Sequence, residues 1–191
     1  MKEDIEIGYM DRDIITLIEK FFRLPYVFTK SSCSGRIVAI DAKYPWSRDG
    51  RIIFKVHNPI EASEFKRVLE RPITERLWVN VMGPIIHAVT KDFESAMKII
   101  KIAREAGFKH SGILSVNEEG WVVELTTGVR ANLLVKVGEN LIIDVSKTDI
   151  IVKALNDVLL EGKKRLRALE EKIERELEEV EGGPKPIDGG S

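Results

Sequence analysis

Apolar residues in 11–22 recur at spacings of three and four (Ile14, Leu17, Ile18, Phe21), the period of a helix with one buried face. Asp11 is placed to cap it and Pro25 to end it. Two β-rich runs follow, 36–42 and 51–57. The segment between them, 43–50, carries a proline and an Asp-Gly step, which predicts a hairpin. A short helix is expected over 59–69 with Phe65, Val68 and Leu69 inward, then strands over 77–81 and 85–90 meeting at Met82-Gly83-Pro84. The clearest helix spans 92–106. Asp92 caps it, Phe93, Ala96, Met97, Ile100 and Ala103 form the apolar stripe, and Gly107 stops it. A second hairpin is expected over 111–126, and strand-like runs over 131–137 and 140–145. From about 148 to 180 the pattern is one long helix. Leu159, Leu166, Ile173 and Val180 repeat every seven residues, Leu155, Leu169 and Leu177 widen the stripe, and Gly162 marks a point where it can bend.

Paired strands between helices, with mostly adjacent connections, predict an α+β fold: two layers, a mixed or antiparallel sheet with helices packed on it, and a long C-terminal helix. The expected division is an α+β domain over 1–147 that carries the chemistry, a helical extension over 148–181 and a flexible tail over 182–191. The Ser34-Gly35 and Ser111-Gly112 steps each open a strand–turn–strand unit. They are an internal echo that a duplication would explain.

The chain has 191 residues, 43% hydrophobic and 32% charged, as expected of a soluble globular protein. No apolar run approaches membrane-spanning length. One cysteine permits no internal disulfide, which makes an intracellular, cytoplasmic location the default. The absence of Gln and the abundance of charged residues point to a thermophilic source. The net charge of −1 is unevenly spread. Residues 168–191 hold eight acids against three bases, so the remainder carries +4. That mild excess permits an RNA partner held by a local patch.

The candidate chemistry begins with Ser31-Ser32-Cys33-Ser34-Gly35-Arg36, where small residues leave backbone and hydroxyl groups uncovered ahead of one guanidinium. Such a stretch also reads as an ordinary polar connection. Tyr44, Trp46, Arg48 and Arg51 interleave rings and guanidiniums, which suits stacking on unpaired bases and pairing with phosphates; a Trp folded down on the sheet is the alternative. His57, His87 and His110 can each serve as acid, base or donor, or as hydrogen-bonded structural residues. They lack the acidic or cysteine partners of a metal site, and no metal is expected. Cys33 is either a nucleophile or a small buried thiol. No serine-hydrolase elbow, phosphate-binding loop or Rossmann fingerprint is present.

Taken together, 26–37, the strand ending at His57, the strand holding His87, the run 106–113, Val123-Glu124-Leu125-Thr126-Thr127 and the following strand resemble the tRNA wybutosine-synthesizing protein 3 family. The resemblance covers roughly 11–160. It implies an enzyme that transfers the methyl group of S-adenosylmethionine to the N4 ring nitrogen of a tricyclic wyosine-type guanosine derivative, 3′ of the anticodon of tRNA(Phe), in wybutosine biosynthesis. The anticodon loop is the expected partner, with unpaired bases that enter a pocket without opening a duplex. On this reading Ser31, Ser32, Cys33, Gly35 and Arg36 form one wall of the site and Ser111 and Gly112 the other. Trp46 stacks on RNA, Arg36 grips a carboxylate, and His87 or His57 accepts a proton. The competing readings are a non-catalytic module that binds the anticodon loop and a Cys33-dependent transferase. Neither the oligomeric state nor the place of the methyl donor follows from the residues.

Overall fold

The computed structural model describes residues 12–182. The expected Asp11 cap and nearly all of the expected C-terminal tail lie outside those residues. The fold is α+β, with nine strands in two sheets and a long C-terminal helix among the described residues. In chain order the elements are α1 (Ile15–Arg23), β1 (Val27–Cys33), β2 (Arg36–Asp41), β3 (Arg51–Val56), α2 (Ala62–Leu69), β4 (Arg76–Met82), β5 (Ile85–Thr90), α3 (Phe93–Glu105), β6 (Gly112–Asn117), β7 (Gly120–Thr126), β8 (Arg130–Val137), β9 (Asn140–Leu141) and α4 (Thr148–Glu181). The run expected as a strand over 140–145 shrinks to β9, and a 3-10 turn, Val145–Lys147, leads into α4.

The strands expected to form one sheet divide between two, because the chain makes two compact units. The first takes the described residues up to 32, then 86–126 and 165 onward; the second takes 33–85 and 127–164. Met82-Gly83-Pro84 is therefore not a hairpin turn. It carries the chain out of one sheet and into the other.

In the first unit the sheet order is β1-β5-β7-β6, with β6 and β7 antiparallel. One face of this sheet supplies Ile86, Ala88, Val123 and Leu125 to a core closed by Leu17 and Phe21 of α1, Ile99 and Ala103 of α3, and Leu169 and Ile173 of α4. Asp92 caps α3 by accepting a hydrogen bond from Ser95 N at 2.8 Å. The α3 stripe is narrower than expected. Phe93 and Met97 are 53% and 43% exposed, since Met97 lies one residue off the Ala96–Ile100–Ala103 line and Phe93 packs at the margin against Trp121. The acids of α4 are matched rather than bare. Lys20 reaches Glu170 and Glu174 at 2.9 and 2.6 Å, and Glu176, itself buried, accepts from the Tyr26 hydroxyl at 2.6 Å and pairs with Lys98 at 2.5 Å. Burial first, and then the bond to Glu176, hold the Tyr26 phenol well above its ordinary range.

In the second unit the order is β3-β2-β4-β8-β9, all antiparallel. Ile37, Ala39, Val79, Val81 and Val135 face a core closed by Phe65 and Val68 of α2 and by Val152, Leu155 and Leu159 of α4. The heptad stripe of α4 is buried except at Val180, which is 39% exposed. At the end of β2 the buried Asp41 carboxylate accepts from the backbone N–H groups of Thr74 and Glu75 at 2.8 and 2.9 Å and from Arg51 at 3.3 Å. Burial pushes its pKa up, but these donors outweigh burial and hold it below the ordinary carboxylate value.

Three glycines of this unit explain how the crossings pack. Gly35 has a φ of +99°, which favours glycine, and a Cβ there would lie 2.9 Å from the Met82 carbonyl oxygen. A Cβ on Gly83 would lie 2.5 Å from Thr127 Oγ1, and one on Gly162 would lie 3.0 Å from Pro84 Cδ and 3.2 Å from Gly83 Cα. Gly162 is thus a contact point, and α4 continues through it without interruption. Gly83→Ala is expected to destabilise the protein by about 1–3 kcal/mol through overpacking. Gly112→Ala, whose Cβ meets nothing within 4 Å, is expected to change stability by less than about 0.5 kcal/mol. Urea unfolding of the two variants distinguishes them, and equal losses would contradict this role for Gly83.

Candidate functional site

In the first unit, neighbouring strands β1, β5 and β7 bring three polar side chains into a hydrogen-bonded row. Ser31 Oγ lies 2.7 Å from His87 Nδ1, and His87 Nε2 lies 3.1 Å from Glu124 Oε1. The alternation of the strands explains the placement. Ile86 and Ala88 turn into the core on one side of His87, and Val123 and Leu125 do so on either side of Glu124. His87 and Glu124 therefore emerge on the face that this unit's helices leave uncovered. Both are about 30% exposed, and Ser31 is exposed.

The row has a direction. The Glu124 carboxylate only accepts, so Nε2 of neutral His87 carries the hydrogen and Nδ1 offers its lone pair to the Ser31 hydroxyl. Ser31 can thereby take a proton from a ligand on its open side while passing its own to Nδ1. The resulting imidazolium is stabilised by Glu124. Sequence reasoning singled out Ser31 and His87 but assigned no role to Glu124. The signal was an acid at an alternating position in an otherwise apolar strand.

Ser32 ends the first unit's part of β1, and its buried Oγ has no hydrogen-bond partner among the described residues. Ser111 is 2% exposed. Its hydroxyl donates to the Phe108 carbonyl at 2.6 Å and accepts from Thr126 N at 3.1 Å, which holds the turn between α3 and β6. Gly112 opens β6 beside it, with open space where a side chain would be. The two Ser-Gly steps are not equivalent. Ser111-Gly112 joins a helix to a strand inside one unit, whereas Ser34-Gly35 joins strands of different sheets. His110 is exposed.

The other expected site residues belong to the second unit. Cys33 is a half-buried free thiol, and the histidine of the hydrogen-bonded row is committed to Ser31 and Glu124 instead. Ser34 is fully buried and accepts from the Lys163 ammonium at 2.8 Å. That buried lysine was not anticipated, although it lies between Leu159 and Leu166 on the apolar stripe of α4. Arg36 opens β2 with its Nε buried and without a partner among the described residues. His57 is half-buried, directly after β3.

Trp46 is not folded down on the sheet. It is 74% exposed and lies parallel to Tyr44, with ring centroids 5.3 Å apart and planes within 2°. Arg51, expected to serve this loop, is engaged by Asp41 and by the Pro72 carbonyl at 2.7 Å. Among the described residues no group of three or more His, Cys, Asp or Glu side chains is arranged to hold a metal ion, and no helix is long and apolar enough to cross a membrane.

Residues 1–175 match the family described as Methyltransferase TYW3. A relative from Saccharolobus solfataricus, named tRNA(Phe) 7-((3-amino-3-carboxypropyl)-4-demethylwyosine(37)-N(4))-methyltransferase, is 45% identical over 88% of this chain and 81% of its own length. A relative of the same name from Aeropyrum pernix is 33% identical over 92% of this chain and 94% of its own. The solved structure of the PH1069 protein from Pyrococcus horikoshii superposes with a TM-score of 0.85 at 29% identity, covering 91% of this chain and 88% of that one.

The direction of the hydrogen-bonded row is testable by nitrogen-15 NMR of the histidine rings. Neutral His87 is expected to show a protonated Nε2 and a lone-pair Nδ1, and Glu124→Ala is expected to mix the two tautomers. Identical ring-nitrogen shifts in both proteins would show that Glu124 does not orient His87.

Proposed function

The chain belongs to the Methyltransferase TYW3 family, and on that premise we propose that it methylates the N4 ring nitrogen of a 7-(3-amino-3-carboxypropyl)-4-demethylwyosine at position 37 of tRNA(Phe), with S-adenosylmethionine as donor, in wybutosine biosynthesis. The relatives' names support the substrate and the nitrogen. A tRNA substrate fits action in the cytoplasm, and the target is reached in the anticodon loop, where bases are already unpaired.

The sulfonium donor supplies an electrophilic methyl carbon. The rest of the task belongs to the protein: to hold the accepting nitrogen in line with that carbon, keep water away and remove one proton. The single observation that carries the mechanism is the Ser31–His87–Glu124 row. As the new N–C bond forms, the ring N–H proton goes to Ser31 Oγ while the Ser31 hydroxyl proton goes to His87 Nδ1. The C–S pair stays on sulfur, and Glu124 faces the imidazolium. Arg36 is the group for a carboxylate, since its buried Nε lacks a partner among the described residues and its fork matches carboxylate geometry. That carboxylate belongs either to the methionine part of the donor or to the aminocarboxypropyl side chain of the base. Ser32 Oγ is a further donor of the same kind. Cys33 lines the stretch without forming a covalent bond, so Cys33→Ser weakens but does not abolish transfer.

The test is transfer of a labelled methyl group from S-adenosylmethionine to tRNA(Phe) carrying the demethylated base. The wild type is expected to label the tRNA. His87→Ala is expected to lower the single-turnover rate by about 10²- to 10⁴-fold with donor and tRNA affinities retained, and to flatten the acid limb of the pH–rate profile. Binding of tRNA without transfer by the wild type would instead identify a non-catalytic module. A His87→Ala rate and pH profile equal to wild type would remove His87 as the proton acceptor.

A further inference from the structure

We infer that the helix-free face of the five-stranded sheet, with the stacked Tyr44–Trp46 pair on the loop tied to it, is a surface that holds single-stranded RNA of the substrate. This inference rests on the tRNA methyltransferase reading above and assigns it a binding surface.

The face follows from the register. β2 aligns Arg36, Val38 and Ile40 with Met82, Asn80 and Trp78 of β4, and β4 aligns these in turn with Arg130, Asn132 and Leu134 of β8. Lys55 of β3 is opposite Val38. These positions alternate with Ile37, Ala39, Val79 and Val81, which face α2 and α4, so they point away from both helices. The small apolar cluster on this side, Val38, Ile40 and Ala42 with Trp78 and Met82, contains no helical residue.

Three observations assign it to RNA. The first is charge: Arg36, Lys55, Arg76 and Arg130 share the face, and the one acid in the register, Asp41, alternates with Ile40 and belongs to the opposite face. The face thus carries four cations and no carboxylate among its aligned residues, in a chain whose net charge is −1. The second is where the face is open. Its centre, at Val38, Ile40 and Asn80, is buried at 7%, 8% and 3%, whereas Lys55 and Arg130 are exposed, so the cations that RNA can meet lie at the margins of the face.

The third is the loop 43–47, which is built rather than loose. Asn80 Nδ2 donates to the Pro45 carbonyl at 2.9 Å and Arg76 to the Lys43 carbonyl at 2.8 Å, while Ser47 N donates to the Tyr44 carbonyl at 3.1 Å. Two residues of the sheet face thereby fix a stack that leaves Trp46 74% exposed, with the Lys43 ammonium 5.6 Å from the Tyr44 ring centroid. A preorganised ring with a free surface beside cations suits a stacked unpaired base, with the phosphates that follow it on the sheet. Arg36 serves either that backbone or the carboxylate assigned to it above, and the salt dependence below is read on other residues for that reason.

The probe is a synthetic 17-nucleotide stem-loop with the tRNA(Phe) anticodon sequence, unmodified and fluorescently labelled, titrated with full-length protein without methyl donor. Trp46→Ala is expected to weaken binding by roughly 5- to 100-fold, the range for one base stacked on an aromatic ring. The double variant Lys55→Ala, Arg130→Ala is expected to lower the slope of log affinity against log salt by about 1.4, at roughly 0.7 per single-strand phosphate. Thermal melts of all variants are expected to match wild type, because these side chains are exposed. A blunt duplex of equal length is expected to bind wild type and Trp46→Ala alike. Unchanged affinity and salt slope in both variants would overturn the inference, as would a loss confined to S-adenosylmethionine binding. Labelled-methyl transfer is scored separately. Wild-type transfer with unaltered RNA binding by the variants defeats this surface and leaves the enzyme reading intact. Weakened RNA binding by the variants without wild-type transfer does the reverse.

Discussion

The constraint on which the rest depends is the absence of side chains where the chain leaves one sheet for the other. Gly83 lies so close to Thr127 and Val129 that a Cβ would be 2.5 and 2.9 Å from them, and Gly35 sits against the Met82 carbonyl in a left-handed conformation. Gly162 lets α4 approach the same segment, and on the next residue Lys163 reaches back to Ser34. Each contact is local to the second unit and lies next to the start of a strand that holds a candidate site residue. β2 begins at Arg36, directly after Ser34-Gly35, and β5 begins at Ile85, two residues before His87.

Each unit solves the same packing problem, and each is left with a similar resource. One sheet face is alternately apolar and covered by helices, including successive stretches of α4: Val152, Leu155 and Leu159 in one unit, Leu166, Leu169 and Ile173 in the other. The opposite face need not be apolar. In the first unit it carries the Ser31–His87–Glu124 row; in the second it carries cations, a tryptophan and two asparagines. The side chains proposed for proton handling and for nucleic-acid contact thus stand in alternation with core residues. Rigid neighbours set the position of both groups.

Much of this was legible in the sequence. The 3.6-residue and seven-residue periods located α1, α3 and α4, and alternation with turn residues located the β2–β3 and β6–β7 hairpins. The division into two sheets was not legible, because Met82-Gly83-Pro84 has the composition of a hairpin turn. Only the contacts of Gly83 with a segment 44 or more residues away distinguish the two cases. The same limit applies to the site. Local chemistry marked Ser31, Arg36 and His87, and the resemblance of 26–37 and 106–113 to a known family gave them a common purpose. Glu124 and Lys163 gain their roles from strand pairing and helix packing over long separations in the chain. Ser111 shows the converse. The echoed Ser-Gly step and the resemblance put it on a ligand-facing wall, yet its hydroxyl is committed to Phe108 and Thr126.

The central claim is that His87 accepts the proton released when the base is methylated, and chemical rescue tests it most directly. The His87 side chain is 32% exposed, so a small solute can reach the space that His87→Gly leaves. The predicted result is a methyl-transfer rate depressed in His87→Gly and restored in proportion to added neutral imidazole, with more restoration at higher pH. A variant that binds donor and tRNA normally yet shows no restoration at any imidazole concentration, or one that transfers at the wild-type rate without it, would contradict the account.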